Sequence, residues 1–269
     1  MSLRVYSGPH SDRRRRHSGL QRGLPWLFAL LAIGLEIAYP LAHGTGRRDL
    51  TVAVVVTFFL ASTSHALLWR GLTWTFGFLV ITVGGGLAIE AVGLHTGVPF
   101  GDYVYSGVNS GHLAGTVFGV PWVIPLAWSM FAYPSLTLAR RISRSSLVVP
   151  LIAAWTLASW DLFLDPMMTA EGYWRFTKPG SVLLHVPGVP VANYVGWFLT
   201  GLVMMVLVDQ LPRRVVPDGQ PAVLFFWTYA SSVVGNVFFF HRPWVAVYGG
   251  IAMGLVALPY AWSLWVGRD

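Results

Sequence analysis

The sequence predicts an all-α membrane protein, a polytopic bundle of about eight transmembrane helices. Three observations carry this. Hydrophobic residues make up 55% of the 269-residue chain and charged residues only 11%, whereas soluble domains carry about 25% charged residues. The mean hydropathy is +0.59. Apolar stretches long enough to cross a bilayer, about 20 residues each, recur along the chain and are separated by basic or turn-rich segments.

The first stretch, 24–43, follows Arg13 to Arg16 and Arg22. Residues 1–23 read as a disordered, basic cytoplasmic tail, and 24–269 as one transmembrane helical domain. A basic flank also begins a signal peptide. This stretch, however, is too long, carries Glu36 and lacks a convincing small-residue cleavage site, so it is read as a retained helix. The second stretch, 50–69, stops at Arg70. The third, 72–94, contains Gly84, Gly85 and Gly86 one turn before Glu90, glycines best read as allowing close helix approach. The fourth, 117–139, ends before Arg140 and Arg141. The fifth, 147–165, carries Asp161 and Asp165 and stops at Pro166. The sixth, 190–210, opens near Asn193 and closes at Asp209. The last two, 221–240 and 243–265, are separated only by His241, Arg242 and Pro243. Seven spans, with one long broken helix, are therefore the alternative.

Orientation follows from Lys and Arg. With the N-terminus in the cytoplasm, thirteen basic residues fall inside and five outside (Arg47, Arg48, Arg175, Lys178 and Arg242). Eight spans then put both termini in the cytoplasm of a multi-pass cell-membrane protein. The net charge of +7 lies mostly in such flanks and does not point to nucleic acid. The absence of Cys excludes disulfides and thiolate metal sites.

Acids inside a membrane cost roughly 2.5 to 3.5 kcal/mol each and call for a reason. Glu36, Glu90, Asp161 and Asp165 all fall toward the outer face, where Asn193, His95 and His241 also lie. Asp209 falls at the other face beside Arg213 and Arg214 and reads as a solvated interfacial charge. Asp161 and Asp165 are four apart and share a helix face. Two carboxylates that close resist ionising together, and a carboxylic acid kept neutral is a proton donor. The competing reading of Asp165 is a cap before Pro166, since Asp-Pro favours a turn; it leaves Asp161 unexplained. A lone interfacial His95 is more often structural than catalytic. No compact metal-ligand spacing such as HExxH is present, so no metal is expected. Two long segments, 95–120 and 166–190, are rich in polar and aromatic residues, as functional loops often are.

Three segments together carry a resemblance: EAVGLHTGVPFGDYVY (Glu90 to Tyr105), WDLFLDPMMTAEGYW (Trp160 to Trp174) and GVPVANYVGW (Gly188 to Trp197). They resemble the membrane carotenoid-biosynthesis family that includes CruF-type carotenoid hydratases and bisanhydrobacterioruberin hydratase. The similarity in order and content runs over roughly 30–265. It implies a lyase of the hydro-lyase type that adds water across the terminal double bond of an acyclic carotenoid end and needs no cofactor. Chemistry placed on the matching positions makes Asp161 the first choice of acid, with Asp165 or Glu90 as partner. Trp160, Phe163, Trp174, Trp197 and Phe100 are the candidate aromatic wall for a cationic intermediate. Asn193, His95 and Tyr103 are the candidate groups to hold water. The implied partners are a carotenoid within the bilayer, membrane lipid and, as candidates, other enzymes of the same pathway. Two other readings stand beside hydration. One is another isoprenoid modification, prenyl transfer or cyclisation, although DLFLD has no second Asp-rich partner motif. The other is a non-enzymatic lipid-binding or transport protein, which would show a polar path joining both faces.

Overall fold

Lipid offers backbone N–H and C=O groups no partners, so an apolar stretch must satisfy its own, and the helix does this. The computed structural model describes residues 18–106, 115–178 and 180–267. Eight long helical segments run through them: α1 Gly19–Leu41, α2 Gly44–Arg70, α3 Leu72–Thr96, α4 Val123–Ile142, α5 Val148–Ala170, α6 Val191–Asp209, α7 Gly219–Phe239 and α8 Pro243–Val266. All but α4 are long and apolar enough to cross a membrane. The chain is a multi-pass membrane protein.

Several boundaries differ from the hydropathy pattern for local reasons. Helix α1 starts at Gly19 rather than 24. Ser18 and Gln21 form a capping box there, each side chain accepting from the other's backbone N–H at 3.2 and 3.0 Å. Arg13 to Arg16 lie outside the described residues. Helix α5 runs through Pro166 to Ala170, so Asp165 sits inside the helix and the reading of it as a chain-ending cap is corrected. Helices α7 and α8 are distinct, parted at Phe240–Arg242, with His241 at φ 54°.

Helix α4 is the axis of the bundle. It packs against α2, α3, α5, α6, α7 and α8, and nearly every side chain from Val123 to Ala139 is buried. A helix shielded from lipid on all sides can carry Ser129, Tyr133, Ser135 and Thr137, and these lower its hydropathy. Trp128 of α4 binds Glu90 at one end of the molecule, and Arg140 pairs with Asp209 at the other. Twelve residues of helix separate them, about 18 Å at 1.5 Å per residue. So α4 crosses the bundle as the other seven do.

The two ends differ in chemistry. At one end Asp209 is 7% exposed and pairs with Arg140 at 3.1 Å and Arg213 at 2.5 Å. This corrects its reading as a solvated charge. Arg70 is buried against the Trp74 ring, 4.5 Å from its centroid. The other end carries the long connections. They hold short strands: β1 Tyr103–Tyr105, β2 Thr116–Val117, β3 Val120–Pro121, β4 Trp174–Phe176, β5 Val182–Leu183 and β6 Val186–Pro190. Strand β1 pairs antiparallel with β4, Tyr103 opposite Phe176 and Tyr105 opposite Trp174.

Candidate active site

The β1–β4 ribbon explains how two loops far apart in sequence reach one place. Successive side chains of a strand point to opposite faces. Tyr103 and Tyr105 therefore turn together toward Glu90 of α3, while Val104 between them is exposed. Glu90 Oε2 accepts hydrogen bonds from Tyr103 at 2.6 Å and Tyr105 at 2.8 Å; its Oε1 accepts from Trp128 Nε1 at 2.9 Å. Burial, and then the adjacent Glu90 carboxylate, push both phenols above the ordinary tyrosine range, so both remain protonated donors. Gly86 makes room for this arrangement. A Cβ there would lie 3.1 Å from the Trp128 ring, which bears out the close-packing reading of that glycine.

The second cluster joins α5 to α6. Asn193 Nδ2 donates to Asp161 Oδ2 at 2.8 Å and to Asp165 Oδ2, so one amide spans two carboxyl groups a helical turn apart. Trp174 Nε1 of β4 donates to Asp165 Oδ1 at 3.0 Å. Asp161 Oδ1 is buried with no hydrogen-bond partner among the described residues. Asp161, Asn193, Asp165 and Glu90 are 0, 2, 3 and 5% exposed. These acids therefore face protein rather than lipid.

Both clusters border a cavity of about 340 Å³. Glu90, Asp165, Asn193, Phe100, Tyr103, Trp160, Trp174 and Trp197 line it, as do Tyr105, Trp128 and Phe163. Trp128 and Trp197 stack with centroids 3.9 Å apart, and Trp160 meets Trp197 edge-on at 6.1 Å. Two candidates stand apart from this group. Asp161 does not border the cavity; it lies behind Asp165 and is linked to it through Asn193. His95 is exposed near the end of α3 and does not line the cavity, so its position offers nothing to a water held inside. Among the described residues no group of three or more His, Asp or Glu side chains is placed to hold a metal ion.

Residues the sequence did not single out complete the wall. Trp128 and Trp227 sit in apolar helices with no motif around them, where a tryptophan reads as core. Trp227 Nε1 of α7 donates to Glu36 Oε2 of α1 at 2.6 Å, and both line the same cavity. The signal available for this pair was Glu36 itself, an acid that needed a buried donor.

Comparison with known proteins agrees with the three segments. Residues 50–259 match the family described as carotenoid biosynthesis protein. A bisanhydrobacterioruberin hydratase of Haloarcula japonica is 34% identical over 194 residues, covering 67% of this chain and 59% of the relative. The chain thus spans rather less than two thirds of that protein's length. No solved structure matches.

Proposed function

The chain belongs to the carotenoid biosynthesis protein family, and from that premise we propose that it is a hydratase acting on the terminal carbon–carbon double bond of an acyclic carotenoid end. The observation that carries the proposal is the Asp161–Asn193–Asp165 cluster at the wall of an apolar, tryptophan-lined cavity.

An alkene is a poor base, so hydration begins with a positioned acid. The two aspartates share one amide and hold a single proton between them, since like charges that close resist coexisting. Asp165 accepts hydrogen bonds at both oxygens while Asp161 Oδ1 has no partner among the described residues, so the shared proton rests on Asp161 and reaches the alkene through Asp165, which borders the cavity. Asp161, the first choice from sequence alone, becomes the partner behind Asp165. The proton adds to the less substituted alkene carbon, and the positive charge forms on the dimethyl carbon. The faces of Trp160, Trp197 and Trp128 stabilise that cation. Glu90 accepts at both oxygens from three donors, an arrangement that opposes the cation with negative charge rather than giving up a proton. Water adds to the cation, its surplus proton returns to the aspartate pair, and a tertiary alcohol leaves. No step calls for a redox cofactor.

The cavity also weighs against transport. Its lining comes from the carboxylate end, and Arg70, Arg140 and Asp209 at the other end are not part of it. A second Asp-rich motif, which prenyl transfer would call for, is absent from the sequence.

The test is expression in cells that accumulate an acyclic carotenoid, followed by mass analysis of the pigments. One added water, or two, is expected, and Asp165→Asn should abolish the gain. Unchanged pigments with the native chain would refute hydration of that precursor. We also place both termini in the cytoplasm, with the carboxylate end outside, because the basic residues concentrate at the opposite end. As the chain has no Cys, a cysteine introduced at exposed Lys178 should react with a membrane-impermeant maleimide on intact cells, and one at Arg144 should not. The reverse pattern would invert the topology.

A further inference from the structure

The cavity is small for a polyene. About 340 Å³ lies near the lower end of the roughly 300–1,000 Å³ typical of ligand pockets, enough for one isoprenoid end. The remainder of a long, rigid chain must leave through the wall. Most lining side chains are backed by other helices. Three large apolar ones border the cavity and are also widely exposed on the outer surface of the bundle: Ile37 at 56%, Val234 at 46% and Phe239 at 51%. Ile37 is on α1, and the other two are on α7. The wall between cavity and lipid is therefore one side chain thick at the α1–α7 seam.

Two further features mark the same seam. Helix α7 carries a π-turn at Gly235–Phe239, which widens the helix locally, and such turns are frequent at functional sites. The Glu36–Trp227 hydrogen bond crosses from α1 to α7 about two turns before it. Between this bond and the Tyr39–Phe240 ring contact at one end of the seam, and away from the Gln220–Pro25 hydrogen bond at the other, the two helices are held by few polar ties among the described residues.

The geometry points to a lateral portal between α1 and α7 through which the apolar chain of the substrate extends into the bilayer, with Glu36 and Trp227 as the clasp that holds its edges. This rests on the proposed carotenoid substrate, deepening that reading by fixing where the unreacted length of the molecule lies. Ile37, Val234 and Phe239 present only hydrocarbon at the opening, as contact with a polyene calls for.

Photo-cross-linking tests it without relying on turnover. An acyclic polyisoprenoid bearing a diazirine at mid-chain is added to the full chain in lipid nanodiscs, and adducts are mapped by mass spectrometry. Adducts at Ile37, Val234 or Phe239, competed by unlabelled acyclic carotenoid, are expected. Competed adducts confined to another helix seam would overturn the portal. As a second measure, Ile37→Trp and Val234→Trp should each lower co-purified carotenoid at least about fivefold, the scale of an overpacking penalty. Leu255→Trp, on the lipid-facing side of α8 and away from the cavity, should not. Equal retention in all three would also overturn it. Hydration by the native chain, measured separately, reports on the reaction. Seam labelling without hydration sinks the hydratase and keeps the portal, and hydration with labelling elsewhere does the opposite.

Discussion

Asn193 is the residue on which the candidate chemistry turns. Its single Nδ2 holds Asp161 and Asp165 in one geometry, and a buried carboxylate stripped of its donor costs about 1–3 kcal/mol or more. Asn193→Leu keeps the approximate volume and removes both bonds. Hydration should fall by about 10² or more, the scale of a displaced general acid, while thermal unfolding in detergent still shows a folded protein. Near-native turnover of that variant, measured as hydrated pigment per protein, would remove the aspartate pair from the reaction. Much of this was legible in the sequence: an acid pair at helical spacing inside an apolar stretch, and an Asn opening another span. The order of the pair was not. Both aspartates share a face, and only the packing of α6 decides which of them meets the cavity.

At the scale of elements, the site depends on loops that come very close to helices. Gly196 of α6 shows how close: a Cβ there would lie 2.6 Å from the Pro99 carbonyl oxygen, a backbone atom that cannot swing aside. Gly196→Ala should therefore push the 97–101 turn away from α6. It should destabilise the protein by about 1–3 kcal/mol and lower hydration by loosening Phe100 within that turn and Tyr103 just after it. A lowered unfolding temperature with lost turnover would agree; an unchanged Tm would place the turn farther from α6 than described. Helix positions were readable from runs of apolar residues, because lipid enforces them. The short strands were not, since Tyr103–Tyr105 and Trp174–Phe176 find their partners across 71 residues of sequence. The motifs nonetheless marked both strands, as segments too rich in Tyr, Trp and Gly for plain connections. Trp128 and Trp227 escaped notice because a helix surrounded by protein and a helix facing lipid both accept tryptophan without comment.

Across the whole molecule, charge and hydropathy separate into two ends. Glu90 lies eighteen residues along α3 from its start at Leu72, and Asn193 and Asp209 bracket α6, sixteen residues apart. These separations correspond to about 27 and 24 Å of helix, close to the roughly 30 Å of a hydrocarbon core. The sequence supplied this polarity through its arginines. It also made Asp209 look solvated, because the partner that buries it, Arg140, comes from another helix.

The polar character of α4 has a consequence for how the protein is made. A segment carrying Ser129, Tyr133, Ser135 and Thr137, and ending in Arg140 and Arg141, gains little by partitioning alone into lipid. It has a place in the membrane because its neighbours supply one. Biogenesis is then not expected to be a series of independent insertions: residues 123–142 should be handed over together with α5, or held at the insertase until α5 joins α2 and α3 around them. In a glycosylation-tagged insertion assay, the isolated α4 segment should integrate poorly, and the 123–170 hairpin well. Efficient integration of α4 alone would show that its burial is a matter of packing only, and not of the order in which the bundle is built.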